Sequence, residues 1–174
     1  RPVQMIWSRE ESFLFSVNRH PGYIDCKVGA MRDGTINAVK IDFTLDAGAY
    51  TEHSPGVTMA VGQGAVGPYR VPNIDVRGRS VYTNNPISGA FRGYGGPQAN
   101  VAIERALFKV AQELGIDQAE FRRINALRQG DSVGNDWMVT DSNATLIETI
   151  NLLLDSAGEI PKPKDSHKRT GRGI

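Results

Sequence analysis

Gly89-Ala90-Phe91-Arg92-Gly93-Tyr94-Gly95-Gly96-Pro97-Gln98 is where the chain changes its hydrophobic period. Upstream, apolar residues alternate with polar ones, as in strands that bury one face. Downstream they recur every three or four positions, as in helices. Strands followed by helices predict an α+β fold, an antiparallel or mixed sheet with helices packed on one face. The stretch itself packs four glycines, one arginine and two aromatics ahead of a helix. Glycine admits positive φ and lets the main chain approach a ligand, while Pro97 suits a first helical turn, whose unpaired N–H groups favour anions. Arg92 adds a permanent charge with a forked set of donors. A structural Gly/Pro turn has the same composition, so the residues alone leave a ligand cradle and a plain turn both open.

Working back from this junction, Ile24, Cys26, Val28 and Ala30 alternate with Asp25, Lys27 and Gly29 in a strand over Tyr23 to Arg32. Asp33-Gly34 supplies a turn into Val39, Ile41, Phe43 and Leu45, which alternate with Lys40, Asp42, Thr44 and Asp46, so the two runs predict a hairpin. A third strand is expected from Ile74 to Thr83, and Val3 to Trp7 is also strand-like. Gly48 to Val66 is rich in small residues, lacks periodicity and receives no element. Working forward, Ile103, Leu107, Val110, Ala111 and Leu114 predict a helix from Pro97 to Leu114 that Gly115 ends. Asp117 is placed to cap a second helix burying Phe121, Ile124 and Leu127. Beyond a Gly/Asp-rich loop from Gly130 to Asp141, Leu146, Ile147, Ile150, Leu153 and Leu154 predict a third, stopping near Gly158. Residues 158–174 carry Lys162, Lys164, Lys168, Arg169 and Arg172 among prolines and glycines, as expected of a disordered basic tail or a cut linker after a domain over 1–157.

With 174 residues, 40% hydrophobic, 22% charged and a net charge of +1, the chain suits one globular domain or two small ones. At this length a core forms without covalent staples. Cys26 is the single cysteine, which excludes an intrachain disulfide, a thiolate metal cluster and an iron–sulfur ligand set within the chain. No apolar run reaches the length of a membrane span, and a cytoplasmic location is expected. The start at Arg1-Pro2, without an initiator methionine, is one expected of a piece of a larger protein.

His20, His53 and His167 are scattered, so no protein-built metal site is expected. Gly93 to Gly96 lacks the G-x-G-x-x-G spacing, and no Lys-Ser/Thr pair follows. Ser54 and Ser88 lack a nucleophile-elbow context. Arg92-Gly93-Tyr94-Gly95 matches half of an RNA-recognition strand, but Gly96-Pro97 begins a helix instead, and nucleic acid is not the expected partner.

The decad from Gly89 to Gln98 resembles the molybdopterin-contacting segment in the large subunit of the xanthine dehydrogenase and aldehyde oxidase family. Arg1-Pro2-Val3, Arg9-Glu10-Glu11, Arg19-His20-Pro21, Asp46-Ala47-Gly48-Ala49-Tyr50, Gly67-Pro68-Tyr69-Arg70-Val71-Pro72-Asn73 and Thr83-Asn84-Asn85-Pro86 follow that family's order, so the similarity covers 1–157. The resemblance implies a partial molybdopterin-binding domain of a molybdenum hydroxylase, which oxidises aldehydes or N-heterocycles with oxygen from water. It implies that Ala90, Phe91, Arg92 and Gly93 lie against the molybdenum cofactor and that Tyr94 faces the substrate pocket. It further implies iron–sulfur clusters and FAD on other domains or subunits, and the remainder of the large subunit as partners.

The family's Phe-containing glycine-rich segment is expected before Arg1 and its general-base glutamate far downstream, so no catalytic residue is assigned in this chain and no turnover is expected of it alone. Ala60 stands where xanthine-type enzymes place a substrate-orienting arginine, which argues for an aldehyde or another aromatic substrate. The residues by themselves also admit a non-catalytic module that holds a phosphate or nucleotide at the helix N-terminus.

Overall fold

The computed structural model describes residues 1–133, 137–138, 144–158, 167 and 169. The expected basic tail lies almost wholly outside them, as do residues 134–136 and 139–141 of the Gly/Asp-rich loop. The chain divides into two compact units: 1–28, 39–67 and 73–106 form the first, and 29–38, 68–72 and 107–174 the second.

In the first unit, α1 (Arg9–Phe15) begins at Ser8, whose hydroxyl accepts from the Glu11 N–H at 3.2 Å while the Glu11 carboxylate accepts from the Ser8 N–H at 2.8 Å. This reciprocal cap satisfies two otherwise unpaired donors. Val3 to Trp7, expected as strand-like, forms no strand; a run with no neighbour to pair with has no ladder to join.

Three strands, β1 (Gly22–Ala30), β2 (Ile36–Gly48) and β3 (Asn73–Tyr82), make a sheet in the order β1-β2-β3. The Asp46 N–H donates to Pro21 O at 2.8 Å and the Met31 N–H to Thr35 O at 2.8 Å, so partners converge on the turn and β1 and β2 run antiparallel. Across the other edge, Lys40 pairs with Asp75, Arg79 donates to the Thr44 hydroxyl at 3.0 Å and the Thr83 N–H to Gly48 O at 3.0 Å. These partners advance together, so β2 and β3 are parallel and the sheet is mixed. Parallel neighbours require a crossover. It is supplied by α2 (Ser54–Gln63), which lies within the stretch whose sequence shows no period.

Val39, Ile41, Phe43, Leu45 and Ala47 point to one face of β2 and are buried, together with Val57 and Val61 of α2 and Ala99 and Ile103 of α3 (Gly96–Leu114). The opposite face of β2 carries Lys40, Asp42, Thr44 and Asp46, none of them buried. One wet face and one helix-covered face are what the alternation predicts.

The second unit receives the last turns of α3, which end as Gly115 N–H donates to Gln112 O and Ile116 N–H to Ala111 O at 2.9 Å. Helix α4 (Gln118–Asn125) is capped by Asp117, whose carboxylate accepts from the N–H groups of Ala119 and Glu120. Phe121 is fully buried, whereas Ile124 and Leu127 are half-buried. Strands β4 (Ser132–Val133) and β5 (Trp137–Met138) pair antiparallel, and α5 (Leu146–Ala157) follows, with Gly158 at its C-cap. The side chain of buried Asn125 ties this unit together. Its oxygen accepts from the Ile36 N–H at 2.8 Å, and its amide donates to Gly34 O and Phe121 O, each at 2.9 Å.

Removing that side chain leaves buried backbone groups without partners, a cost set by desolvation rather than by the bonds' net value. Asn125→Ala is expected to lower unfolding stability by about 2–4 kcal/mol. Chemical denaturation with an unchanged midpoint would refute this reading.

Candidate functional site

The decad from Gly89 to Gln98 lies wholly within the first unit. It leaves the sheet beside residues 17–21: Asn18 N–H donates to Ile87 O and Gly89 N–H to Asn18 O, both at 3.0 Å. It then turns sharply into α3. Gly93, Tyr94 and Gly95 have φ of +90°, +43° and +95°, three successive residues in the left-handed region. Glycine occupies the two more extreme positions, as sterics require. The turn is closed by Tyr94 N–H to Phe91 O and Gly96 N–H to Gly93 O, each at 2.8 Å. It is also seated closely: a Cβ on Gly95 would stand 2.8 Å from a Val61 methyl and 2.9 Å from Val57 O. Helix α2 thus serves as the bed of the turn.

Arg19 clamps the segment from the other side. Its guanidinium donates to Arg92 O at 2.6 Å and to the Gln98 side chain at 3.4 Å, and stacks over the Phe91 ring at 4.8 Å. The Gln98 amide donates in turn to His20 O at 3.2 Å. The Arg19-His20-Pro21 corner, a landmark of order in the sequence, is therefore the clamp of the candidate site. No pattern within the chain signalled this, because Arg19 and Arg92 are 73 positions apart.

With the backbone so held, Ala90, Phe91, Arg92 and Gly93 are all exposed. Their N–H groups have no acceptor among the described residues, and the Arg92 guanidinium has no acidic partner there either. Four consecutive donors and a guanidinium without partners among the described residues, next to the start of a long helix, are groups that can bind a ligand rich in oxygen acceptors and negative charge. Tyr94 is half-buried, its hydroxyl 3.0 Å from His53 Nδ1. Among the described residues no group of three or more His, Cys, Asp or Glu side chains is arranged to hold a metal ion.

His20, whose carbonyl accepts from the Gln98 amide, is 2% exposed, with Nε2 at 2.8 Å from the Ser54 hydroxyl and Nδ1 without a hydrogen-bond partner among the described residues. Burial holds its pKa below the ordinary histidine value, against the opposing pull of the Glu52 and Asp46 carboxylates. Asp46 is held below the usual carboxylate range by the Thr83 hydroxyl at 2.6 Å, the Asn85 amide and the Gly48 N–H.

Residues 1–126 match the molybdopterin cofactor-binding domain. The chain belongs to that family. Among relatives of this molybdopterin cofactor-binding chain, the nicotinate dehydrogenase large molybdopterin subunit of Eubacterium barkeri is 41% identical over 160 residues, which is 92% of this chain and 37% of that protein. The xanthine dehydrogenase molybdenum-binding subunit of Escherichia coli O157:H7 is 40% identical over 131 residues, 75% of this chain and 17% of that one. The aldehyde oxidoreductase of Desulfovibrio gigas superposes with a TM-score of 0.78 at 33% identity, over 86% of this chain and 16% of its own. The chain thus spans well under half the length of these relatives. No described helix is long and apolar enough to cross a membrane.

A histidine kept neutral by burial stabilises the fold where the unfolded chain would also be neutral, and that contribution is lost once the unfolded state begins to take up a proton. The melting temperature is therefore expected to fall as pH drops below about 6.5. His20→Gln, which keeps a partner for Ser54, should flatten this dependence. Equal slopes for the two proteins between pH 7.5 and 5 would exclude His20 as the source.

Proposed function

We propose that this chain is the cofactor-facing part of a molybdenum hydroxylase large subunit. In this reading Ala90, Phe91, Arg92 and Gly93 hold the molybdenum–pterin cofactor, and Tyr94 forms a wall of the substrate pocket. The observation that carries the proposal is the run of four backbone N–H groups without an acceptor among the described residues, beside an Arg92 guanidinium without an acidic partner among them, in a chain of the molybdopterin cofactor-binding family. A cofactor bearing oxygen and phosphate acceptors needs that set, and rigid donors stabilise charge without reorganising.

The bound cofactor supplies the two-electron oxidation of a substrate C–H bond with oxygen from water. The chain's own residues do the positioning. Arg19 holds Arg92 O and Phe91, so the donors of the turn stay aligned; α2 keeps the turn from relaxing; and the Tyr94 ring offers a flat surface to a planar substrate. The substrate class is an aldehyde or an N-heteroaromatic compound, with Ala60 leaving no cation at the position where purine oxidisers carry an arginine. Iron–sulfur clusters and FAD outside this chain would take up the electrons, and the general base would come from the remainder of the large subunit.

In the complete enzyme, Arg92→Ala is expected to weaken cofactor binding about tenfold or more, the worth of a charge-assisted contact, read as molybdenum per subunit. Tyr94→Ala should keep its molybdenum while raising KM. The chain alone should reduce no dye with aldehydes or heterocycles, since general-base catalysis needs its base within hydrogen-bond reach. Full molybdenum in Arg92→Ala, or a simple nucleotide bound in place of the pterin, would overturn the proposal.

A further inference from the structure

Among the described residues, two that are not glycine have φ in the left-handed region: Tyr94 at +43° and Glu52 at +39°. Such conformations persist where the surroundings over-determine them, and they cluster at functional sites. Here one residue joins the two. His53 places Nδ1 3.0 Å from the Tyr94 hydroxyl, with the rings edge to face at 5.9 Å and 78°, and Nε2 3.8 Å from the Glu52 carboxylate. The second Glu52 oxygen accepts from the His53 N–H. His53 stands at the N-cap of α2, where a side chain ordinarily accepts from the helix, yet its ring makes no cap bond.

The two ends of this chain of contacts are fixed by absent side chains. A Cβ on Gly56 would collide with the Tyr94 hydroxyl, and one on Gly89 with the Glu52 carboxylate. The hydroxyl is therefore held in a fitted recess, on a residue whose backbone is already pinned by Gly93 and Gly95.

We infer that His53, backed by Glu52, is a positioning residue that makes the Tyr94 hydroxyl a hydrogen-bond acceptor, so that the pocket favours planar substrates presenting an N–H or O–H donor. The carboxylate beside Nε2 favours the tautomer that carries its proton there, which leaves a lone pair on Nδ1. Tyr94 then donates its only proton to Nδ1, and its remaining lone pairs accept. A lactam-type N-heterocycle is preferred over the same skeleton without its N–H. The inference rests on the reading of Tyr94 as a pocket residue and adds the substrate class that the pocket selects.

The test uses the complete enzyme, reduced with dithionite so that ligands bind without turnover. Dissociation constants are measured by calorimetry for quinazolin-4-one and its N3-methyl derivative, and molybdenum is assayed in every variant. Wild type should prefer the N–H compound. His53→Phe and Tyr94→Phe should each cut that preference about threefold to tenfold, the worth of one hydrogen bond, with molybdenum retained. His53→Asn, whose amide reaches the Nδ1 position, should restore most of it. Adding His53→Phe to Tyr94→Phe should cost nothing more.

Should His53→Phe fold poorly, His53→Gln, which reaches only the Nε2 position, replaces it as the loss variant. A preference unmoved by the loss variant, an equal loss in the Tyr94→Phe background, or no preference in wild type would overturn the inference and leave the cofactor assignment standing. Full molybdenum in Arg92→Ala overturns that assignment separately.

Discussion

The turn at Gly93, Tyr94 and Gly95 is the constraint on which the candidate site depends. Three successive residues with positive φ reverse the main chain within one turn of α3, which an ordinary sequence of L residues does not do without cost. The reversal lodges Gly95 against Val57 and Val61 so closely that a methyl group would not fit, and just before it the N–H groups of residues 90–93 have no acceptor among the described residues. The parallel pairing of β2 and β3 requires a crossover, the crossover is α2, and α2 is the surface on which the turn rests. Topology and site are in this sense one arrangement.

Holding such a turn takes interactions from distant parts of the chain. Arg19 serves three functions with one side chain: it satisfies Arg92 O, reaches the Gln98 side chain and covers the Phe91 ring. The fork of donors that guanidinium provides suits this better than an ammonium would. Next to Arg19 in the chain, His20 forms a buried polar contact with Ser54 that links the strand-side corner to the start of α2. Burial disfavours the charged form of His20 and outweighs the opposing pull of the Glu52 and Asp46 carboxylates.

The fold was legible where one face of an element is buried and the other is wet. Val39 to Leu45 announced β2 and Ile103 to Leu114 announced α3 because their burial alternates at the period of the element. Asp117 and Gly115 marked helix ends through local capping chemistry, which sequence carries directly. Helix α2 was not legible: Val57 and Val61 are its buried apolar residues, and three glycines between 56 and 64 give no stripe to read. One of them, Gly56, lets the Tyr94 hydroxyl approach, a requirement set by another element. The strand-like run at Val3 to Trp7 shows the converse, a residue pattern without a strand partner.

The sequence by itself determined the period change at Gly89 to Gln98, the α+β class and the order of segments that marks the molybdopterin cofactor-binding family, because each is written in local composition and spacing. Only the tertiary structure decided that β3 runs parallel to β2, that Arg19 closes over Arg92 and Phe91, and that His53 meets Tyr94. Those contacts join residues 35 to 79 positions apart, and no local propensity encodes a partner at such a distance. It is set by the packing of sheet, crossover and helix around a shared core.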